Sequence, residues 1–407
     1  MTAQPRADDL DAMFRQRLAA GLQPVLADRQ AAVLFDLGDA GQWTLTLNRG
    51  TPDVRRGSIG HPTTVIRTAA DTFTSIMHGQ ESGAAAFLDG RLAIRGDLTL
   101  GLQLDGAFAV QRPPQHPRAG AVTPLGVRTT YIEAGDPSAP AVVALHGLGA
   151  TAASLLPVVI GLADSYRVIA PDLPGFGDSA APRWRYRAAD FARWFAAFLR
   201  AVGVQRAHVV GNSLGGRVAL EAGLVASDKV DRLVLLCPSP ALRRLRQFVP
   251  VVRLLSPQLA RVPIPMSHGL AMAGIKFMFA RPERLPESWY AAGADEFLRV
   301  MHDWPHRRAF YTTLRQIYFE EPFGTRGFWT RLTRVTAPAL FVWGARDRLV
   351  PAAFSRHVTT ALPNSQSIVL PDCGHVPQFE LPERTLDLTR AFLSGRQVPG
   401  ASDDASL

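Results

Sequence analysis

Apolar and polar positions along this chain follow two different rhythms, and the change falls near residue 111. In the first part, Leu10, Met13, Phe14, Leu18 and Leu22 recur at helical spacing and predict a helix over 9–26. Short strand-like runs follow at 32–35, 43–47 and 63–67. The clearest alternates Trp43, Leu45 and Leu47 with Thr44 and Thr46. Helical stretches at 69–77 and 83–88, a strand at 90–95 and a last helix at 98–104 complete this part. It reads as a small α+β unit over 1–110.

Pro113, Pro114, Pro117 and Gly120 sit in a polar run, so 111–122 is expected to be a linker. From Gly126 onward, strand and helix patterns alternate. Strands are expected at 127–134, 141–145, 166–170, 207–210, 233–236, 339–343 and 367–370, with helices at 188–202, 218–226 and 353–362 among them. Such alternation argues for a mostly parallel sheet covered by helices, here over 123–396. Far more chain separates 233–236 from 339–343 than one βαβ unit uses. The surplus, at about 239–328, is expected to be a helical lid. One face of its first helix would carry Leu242, Leu245, Phe248 and Val252, with Arg243, Arg244 and Arg246 opposite. Met266, Met272, Phe277, Met278 and Phe279 add apolar surface, either as lid-to-core packing or as the wall of an apolar pocket with a basic rim. The tail at 397–407 is expected to be disordered.

The chemistry lies at strand ends. The strand at 207–210 enters Gly211-Asn212-Ser213-Leu214-Gly215, a G-x-S-x-G followed by a helix. In that setting the serine sits on a sharp, strained turn, and glycines let neighbouring backbone approach without a Cβ clash. A serine hydroxyl is a weak nucleophile that requires a base oriented by a carboxylate. Asp347 follows the strand at 339–343, and His375 follows the strand at 367–370, in the order Ser, Asp, His. Asp347 competes with a salt bridge to Arg346 or Arg348. Asp372 reads as a turn former, and the loop after 233–236 offers Cys237-Pro238-Ser239 without a carboxylate. The backbone amides of Leu214 and of Leu148, in the turn His146-Gly147-Leu148-Gly149, are the expected oxyanion donors. His146 reads as structural and Cys373 as buried packing.

These segments, over 141–393, resemble the α/β-hydrolase superfamily, of the serine esterase or lipase type. That likeness implies an acyl-enzyme on Ser213, hydrolysed by water activated by His375. Superfamily members that cleave epoxides or haloalkanes carry aspartate where Ser213 stands, so the serine implies acyl transfer. The first part resembles the sterol-carrier-protein (type 2) family, through "GQWTLTLNRG" and above all "AFLDGRLAIRGD" at 86–97. That family holds an apolar ligand between sheet and helices, so a lipid-binding domain is implied, against the plainer reading of a structural appendage. The favoured function is hydrolysis of a carboxylic ester of a hydrophobic, lipid-like substrate. Carbon–carbon hydrolysis of ring-cleavage products and thioester hydrolysis are the alternatives, with a non-enzymatic lipid carrier behind them. "GNSLGG" suits the carbon–carbon group, whereas Val376 and "HGLGA" depart from it.

Composition adds limits. Lys and Arg outnumber Asp and Glu by 44 to 35, giving +9, yet Lys229 and Lys276 are the only lysines. No basic block interleaves with aromatics, which excludes a nucleic-acid partner. The arginines leave room for contact with anionic head groups at a membrane surface. Two cysteines, Cys237 and Cys373, form no disulfide framework and fit a reducing compartment. The acidic first turn around Asp8, Asp9 and Asp11 is no secretory signal, and no uncharged apolar run is long enough to span a membrane. A cytoplasmic location is expected, and no cofactor or metal is called for.

Overall fold

The computed structural model describes residues 6–19, 26, 28–104, 113–239, 252, 254, 256–263, 265–325, 327–362 and 364–400. In the first part, helix α1 (Ala7–Ala19) precedes strands β1 (Gln30–Asp36), β2 (Gln42–Asn48), β3 (Thr51–Arg56) and β4 (Thr64–Thr68). Helices α2 (Ala70–Met77) and α3 (Gly83–Leu88), strand β5 (Leu92–Gly96) and helix α4 (Leu98–Gln103) follow. The sheet order is β3-β2-β1-β4-β5. The alternation read at 43–47 holds for Trp43, Leu45 and Leu47, which are buried, and for Thr46, which is exposed; Thr44 is buried too, its hydroxyl donating to the Gly57 carbonyl. Ser82 and Asp97 cap α3 and α4, their side chains accepting from the amides of Ala85 and Leu100. Strand β3 was not expected from the sequence. It carries Pro52 and two arginines, exposes most of its residues, and occupies the sheet edge where proline is tolerated. The expected first helix ends at Ala19, and 20–25 lie outside the described residues.

The second part is built on an eight-stranded sheet. Its elements begin with β6 (Arg118–Val122), β7 (Thr129–Ala134), β8 (Ala141–Leu145), α5 (Leu156–Leu162) and β9 (Arg167–Pro171). Helix α6 (Ala188–Ala201), β10 (Ala207–Asn212), α7 (Leu214–Val225) and β11 (Val230–Leu236) come next. The segment that follows holds α8 (His268–Phe277), α9 (Glu287–His302), α10 (Trp304–Phe319) and α11 (Phe328–Leu332). Strand β12 (Ala339–Gly344), α12 (Ser355–Ala361), β13 (Ser365–Leu370), α13 (Pro377–Glu380) and α14 (Pro382–Leu393) end the fold. The sheet order is β13-β12-β11-β10-β8-β9-β7-β6. All neighbours from β13 to β9 are parallel, whereas β7 pairs antiparallel with both β9 and β6.

Strand residues alternate between two cores. Val142, Ala144, Val210, Val234 and Val342 face α5 and α14, while Val143, Leu145, Val209, Leu235 and Phe341 face α6 and α7. Burial on both faces is what a parallel sheet demands. The first of these cores runs without a break into the N-terminal part. Leu10, Phe14, Trp43 and Phe73 belong to the same apolar cluster as Leu155, Val158 and Leu162.

Two expectations require correction. Residues 118–122, read as the end of a linker, form β6 and pair with β7, Arg118 bonding Glu133 on the neighbouring strand. The tail is not wholly loose: Val398 is buried, and the carbonyl of Pro399 accepts from Arg384. Residues 401–407 lie outside the described residues. Among the described residues, no helix is long and apolar enough to cross a membrane. The segment expected to be a lid holds α8, α9 and α10, but 242–248, with their leucines and arginines, lie outside the described residues.

Candidate active site

Parallel strands bring their C-terminal ends to one rim, where Asp347 and His375 are paired and the Ser213 turn is joined to them through Asn212. Ser213 lies between β10 and α7 with φ 52° and ψ −113°. A side chain in that region stores about 1–3 kcal/mol of strain that the surroundings must offset. Two backbone bonds hold it: Ser213 N–H donates to the Leu236 carbonyl (3.0 Å), and its own carbonyl accepts from Ser239 N–H (3.0 Å). The glycines of the motif have a steric reason. A Cβ on Gly211 would stand 2.6 Å from the Gly215 backbone, and one on Gly215 would stand 2.0 Å from the Leu145 carbonyl oxygen.

His375 and Asp347 are paired. Nδ1 of His375 lies 2.7 Å from Oδ2 of Asp347, both side chains being buried. The other carboxylate oxygen of Asp347 accepts from the amides of Leu349 (2.7 Å) and Val350 (2.9 Å), so the acid is fixed in its loop. With Nδ1 engaged as donor, Nε2 is left as the acceptor a general base presents. The competing salt bridge goes elsewhere: Arg346 pairs with Asp372 at 3.0 Å. Arg281 and Arg284 also reach Asp372, each at 3.5 Å, so the sequence neighbour of His375 serves a surface cluster.

Asn212 joins the Ser213 turn to this pair. Its Nδ2 donates to the carbonyls of Leu236 (3.0 Å) and His375 (3.1 Å), tying the serine turn to the histidine loop. Glu380, overlooked in the sequence, clamps the same loop from the far side. It accepts from the amides of Gly374 (2.8 Å), Val376 (3.4 Å) and Ala280 (2.7 Å), the last belonging to the covering segment. Burial pushes its carboxyl up, against the pull of those three amides. The only advance signal was its place one helical turn beyond the histidine. His375 N–H also donates to the Met278 carbonyl (2.8 Å).

The amides expected as oxyanion donors lie on two neighbouring turns. Leu214 opens α7, where helix geometry leaves its amide without an intrahelical acceptor. The turn bearing Leu148 abuts the serine, since a Cβ on Gly147 would stand 3.4 Å from Cβ of Ser213. His146 fixes that turn. Its Nδ1 lies 2.8 Å from the Gly147 carbonyl, while Nε2 accepts from Leu173 N–H at 2.9 Å. Burial lowers its pKa, which suits a neutral ring.

Cys237 occupies the acid position after β11. Its sulfur, a carboxylate oxygen of Asp347 and a ring nitrogen of His375 lie within 4.8 Å of one another. A metal would have to displace the Asp347–His375 hydrogen bond, and burial together with the Asp347 charge raises the Cys237 thiol well above its ordinary value. The donor set therefore reads as a hydrogen-bonded pair with a neutral thiol beside it.

Beside the rim lies a cavity of about 590 Å³. Leu148 and Gly149 of the oxyanion turn and Val376, next to His375, form one end, and α8 and α9 cover it. Met266, Met278 and Phe279 line it as the sequence suggested, whereas Met272 packs behind the wall and Phe277 is half exposed.

The fold and this rim define a hydrolase. Residues 140–382 match the alpha/beta hydrolase fold family, and the chain belongs to it. Residues 10–109 match the SCP-2 sterol transfer family. An uncharacterised protein of Mycobacterium tuberculosis is 27% identical over 303 residues, 69% of this chain and 82% of its own length. The 2-hydroxy-6-oxo-6-(2'-aminophenyl)hexa-2,4-dienoic acid hydrolase of Metapseudomonas resinovorans is 28% identical over 67% of this chain and 89% of its own. Among solved structures, a bacterial membrane phospholipase A superposes with a TM-score of 0.60 and 24% identity, over 80% of this chain and 95% of that one. At that identity the likeness speaks for the fold.

Proposed function

We propose that this protein hydrolyses carboxylic esters of hydrophobic substrates through an acyl-enzyme on Ser213. His375 takes the hydroxyl proton as Ser213 attacks the carbonyl, and Asp347 holds the imidazole and stabilises its charged form. The developing oxyanion lies on the amides of Leu214 and Leu148. The alcohol leaves with the proton from His375, which then activates water to release the acid. The observation that carries this reading is the buried 2.7 Å Asp347–His375 pair, tied through Asn212 to a serine at φ 52°.

The apolar cavity sets the substrate class. Among its described lining residues Glu296 alone is charged, and it is acidic. Glu296 is paired with Arg299, so the wall offers a dienoate's carboxylate no cationic partner and would strip it of water without compensation. This favours an ester with an acyl or alcohol chain over the carbon–carbon substrates that the names of several relatives suggest. A thioester would use the same chemistry.

The test is turnover of p-nitrophenyl esters together with labelling by a fluorophosphonate. Wild-type protein should hydrolyse the esters and take the label on Ser213. Ser213→Ala should lose at least about 10⁴-fold in kcat. Wild-type rates in that variant would overturn the assignment.

A further inference from the structure

The cavity beside the active site is not closed by the hydrolase part alone. Phe87 of α3 and Leu98 of α4, both from the N-terminal part, line it together with Trp289, Gly293 and Phe297 of α9. Helix α9 thus has two duties: some of its side chains face the cavity, and others hold the N-terminal part against it.

The junction is specific. Trp289 Nε1 donates to the Phe87 carbonyl at 2.8 Å, and the two rings stack with centroids 6.3 Å apart. The buried hydroxyl of Thr99 lies 3.0 Å from Oε1 of Glu296. Asp295 accepts from Arg95 (2.7 Å) and from the amide of Gly96 (2.9 Å). Arg299 binds Glu296 at 2.7 Å and Asp178 at 3.1 Å, while Arg29 reaches Asp178 from the N-terminal side. A polar layer that is buried at Thr99–Glu296 and part-buried around it holds two bodies in one register, because a slip would leave those groups unpaired. The positions of Phe87 and Leu98 over the cavity are therefore fixed by the fold.

Gly83, at the other end of α3, and Gly101 and Leu102 of α4 face the small interior space of the N-terminal part. The two short helices are a partition between that interior and the large cavity. We propose that the N-terminal part serves as the far wall of the substrate cavity, with Phe87 and Leu98 setting the length of apolar chain that the reaction accepts. This rests on the serine-esterase reading above. Burial of each methylene against such a wall is worth about fourfold in kcat/KM.

The test uses the full chain and a series of p-nitrophenyl esters from acetate to palmitate. Phe87→Ala should shift the preferred chain longer and Leu98→Phe should shift it shorter. The palmitate-to-butyrate ratio of kcat/KM should then differ between the two variants by at least about tenfold, as a few methylenes at fourfold each require. A second measurement requires no variant. A long-chain fluorophosphonate with a diazirine at its tip is reacted with wild-type protein, irradiated and digested. Cross-links on the peptides carrying Phe87 or Leu98 are expected. If esters are hydrolysed and Ser213 is labelled, but the ratios stay within twofold and cross-links fall only after residue 122, the wall role is wrong and the esterase reading stands. If no ester is turned over and Ser213 takes no phosphonate, the esterase reading itself fails.

Discussion

Two apolar spaces among the described residues differ sharply in what fills them. In the N-terminal part, the space among Phe35, Phe73, Met77 and Leu102 is about 30 Å³, the share of about one water molecule. Phe14 of α1 lies against Phe35, Phe73 and Trp43 with ring centroids 5.2–5.9 Å apart and closes the interior. Under the lid, about 590 Å³ stays open between side chains from both parts. A fold that resembles a lipid carrier thus has a packed core, and the open apolar space lies instead beside the turn of Leu148 and Gly149 and the Val376 that follows His375. The difference teaches that family likeness locates a scaffold, whereas side-chain volume decides where a ligand fits.

The comparison can be broken at its reactive side first. Asp347→Asn keeps the shape of the buried pair but removes the acceptor that fixes the imidazole tautomer. Ester hydrolysis should fall by about 10³–10⁴-fold in kcat, with far-ultraviolet circular dichroism unaltered. A loss below tenfold would remove Asp347 from the mechanism.

The packed side comes next. Phe14→Ala should cost about 3–5 kcal/mol, read as a shift of the urea unfolding midpoint, because the deleted ring leaves a cavity in a full core. A cost below about 1 kcal/mol would mean that the N-terminal interior is loosely filled, and the contrast with the lid cavity would fade.

The smallest effect concerns the thiols. Burial raises both Cys237 and Cys373, so neither presents thiolate near neutral pH. In the folded protein at pH 8, iodoacetamide should modify neither, while both should react in urea. Mass spectrometry gives the count. Rapid alkylation of Cys237 would mean that the floor beneath His375 is open to solvent.

Most of the site was legible in the sequence because its chemistry is punctuated by strand ends. Ser213, Asp347 and His375 each follow an apolar run, and the glycines around the serine have backbone neighbours that admit no Cβ. What escaped notice was held by contacts distant along the chain. Strand β6 reads Arg-Ala-Gly-Ala-Val, with no alternation of large apolar residues, and gains its pairing only from β7. A Cβ on Gly120 would stand 2.3 Å from the Tyr131 ring, which would have to swing aside. Val398 is buried only after the chain has folded back onto the large sheet. The roles of Phe87 and Leu98 depend on how two separately recognisable parts meet, a matter on which neither part's own pattern bears.

Glu380 carries a consequence for motion. One of its oxygens fastens the backbone on both sides of His375, and the other fastens Ala280 in the covering segment. Roof and base are therefore fastened twice beside the imidazole, here and where His375 N–H donates to the Met278 carbonyl. Lifting residues 278–280 would break both bonds, so this stretch of the roof holds the backbone around the imidazole in place.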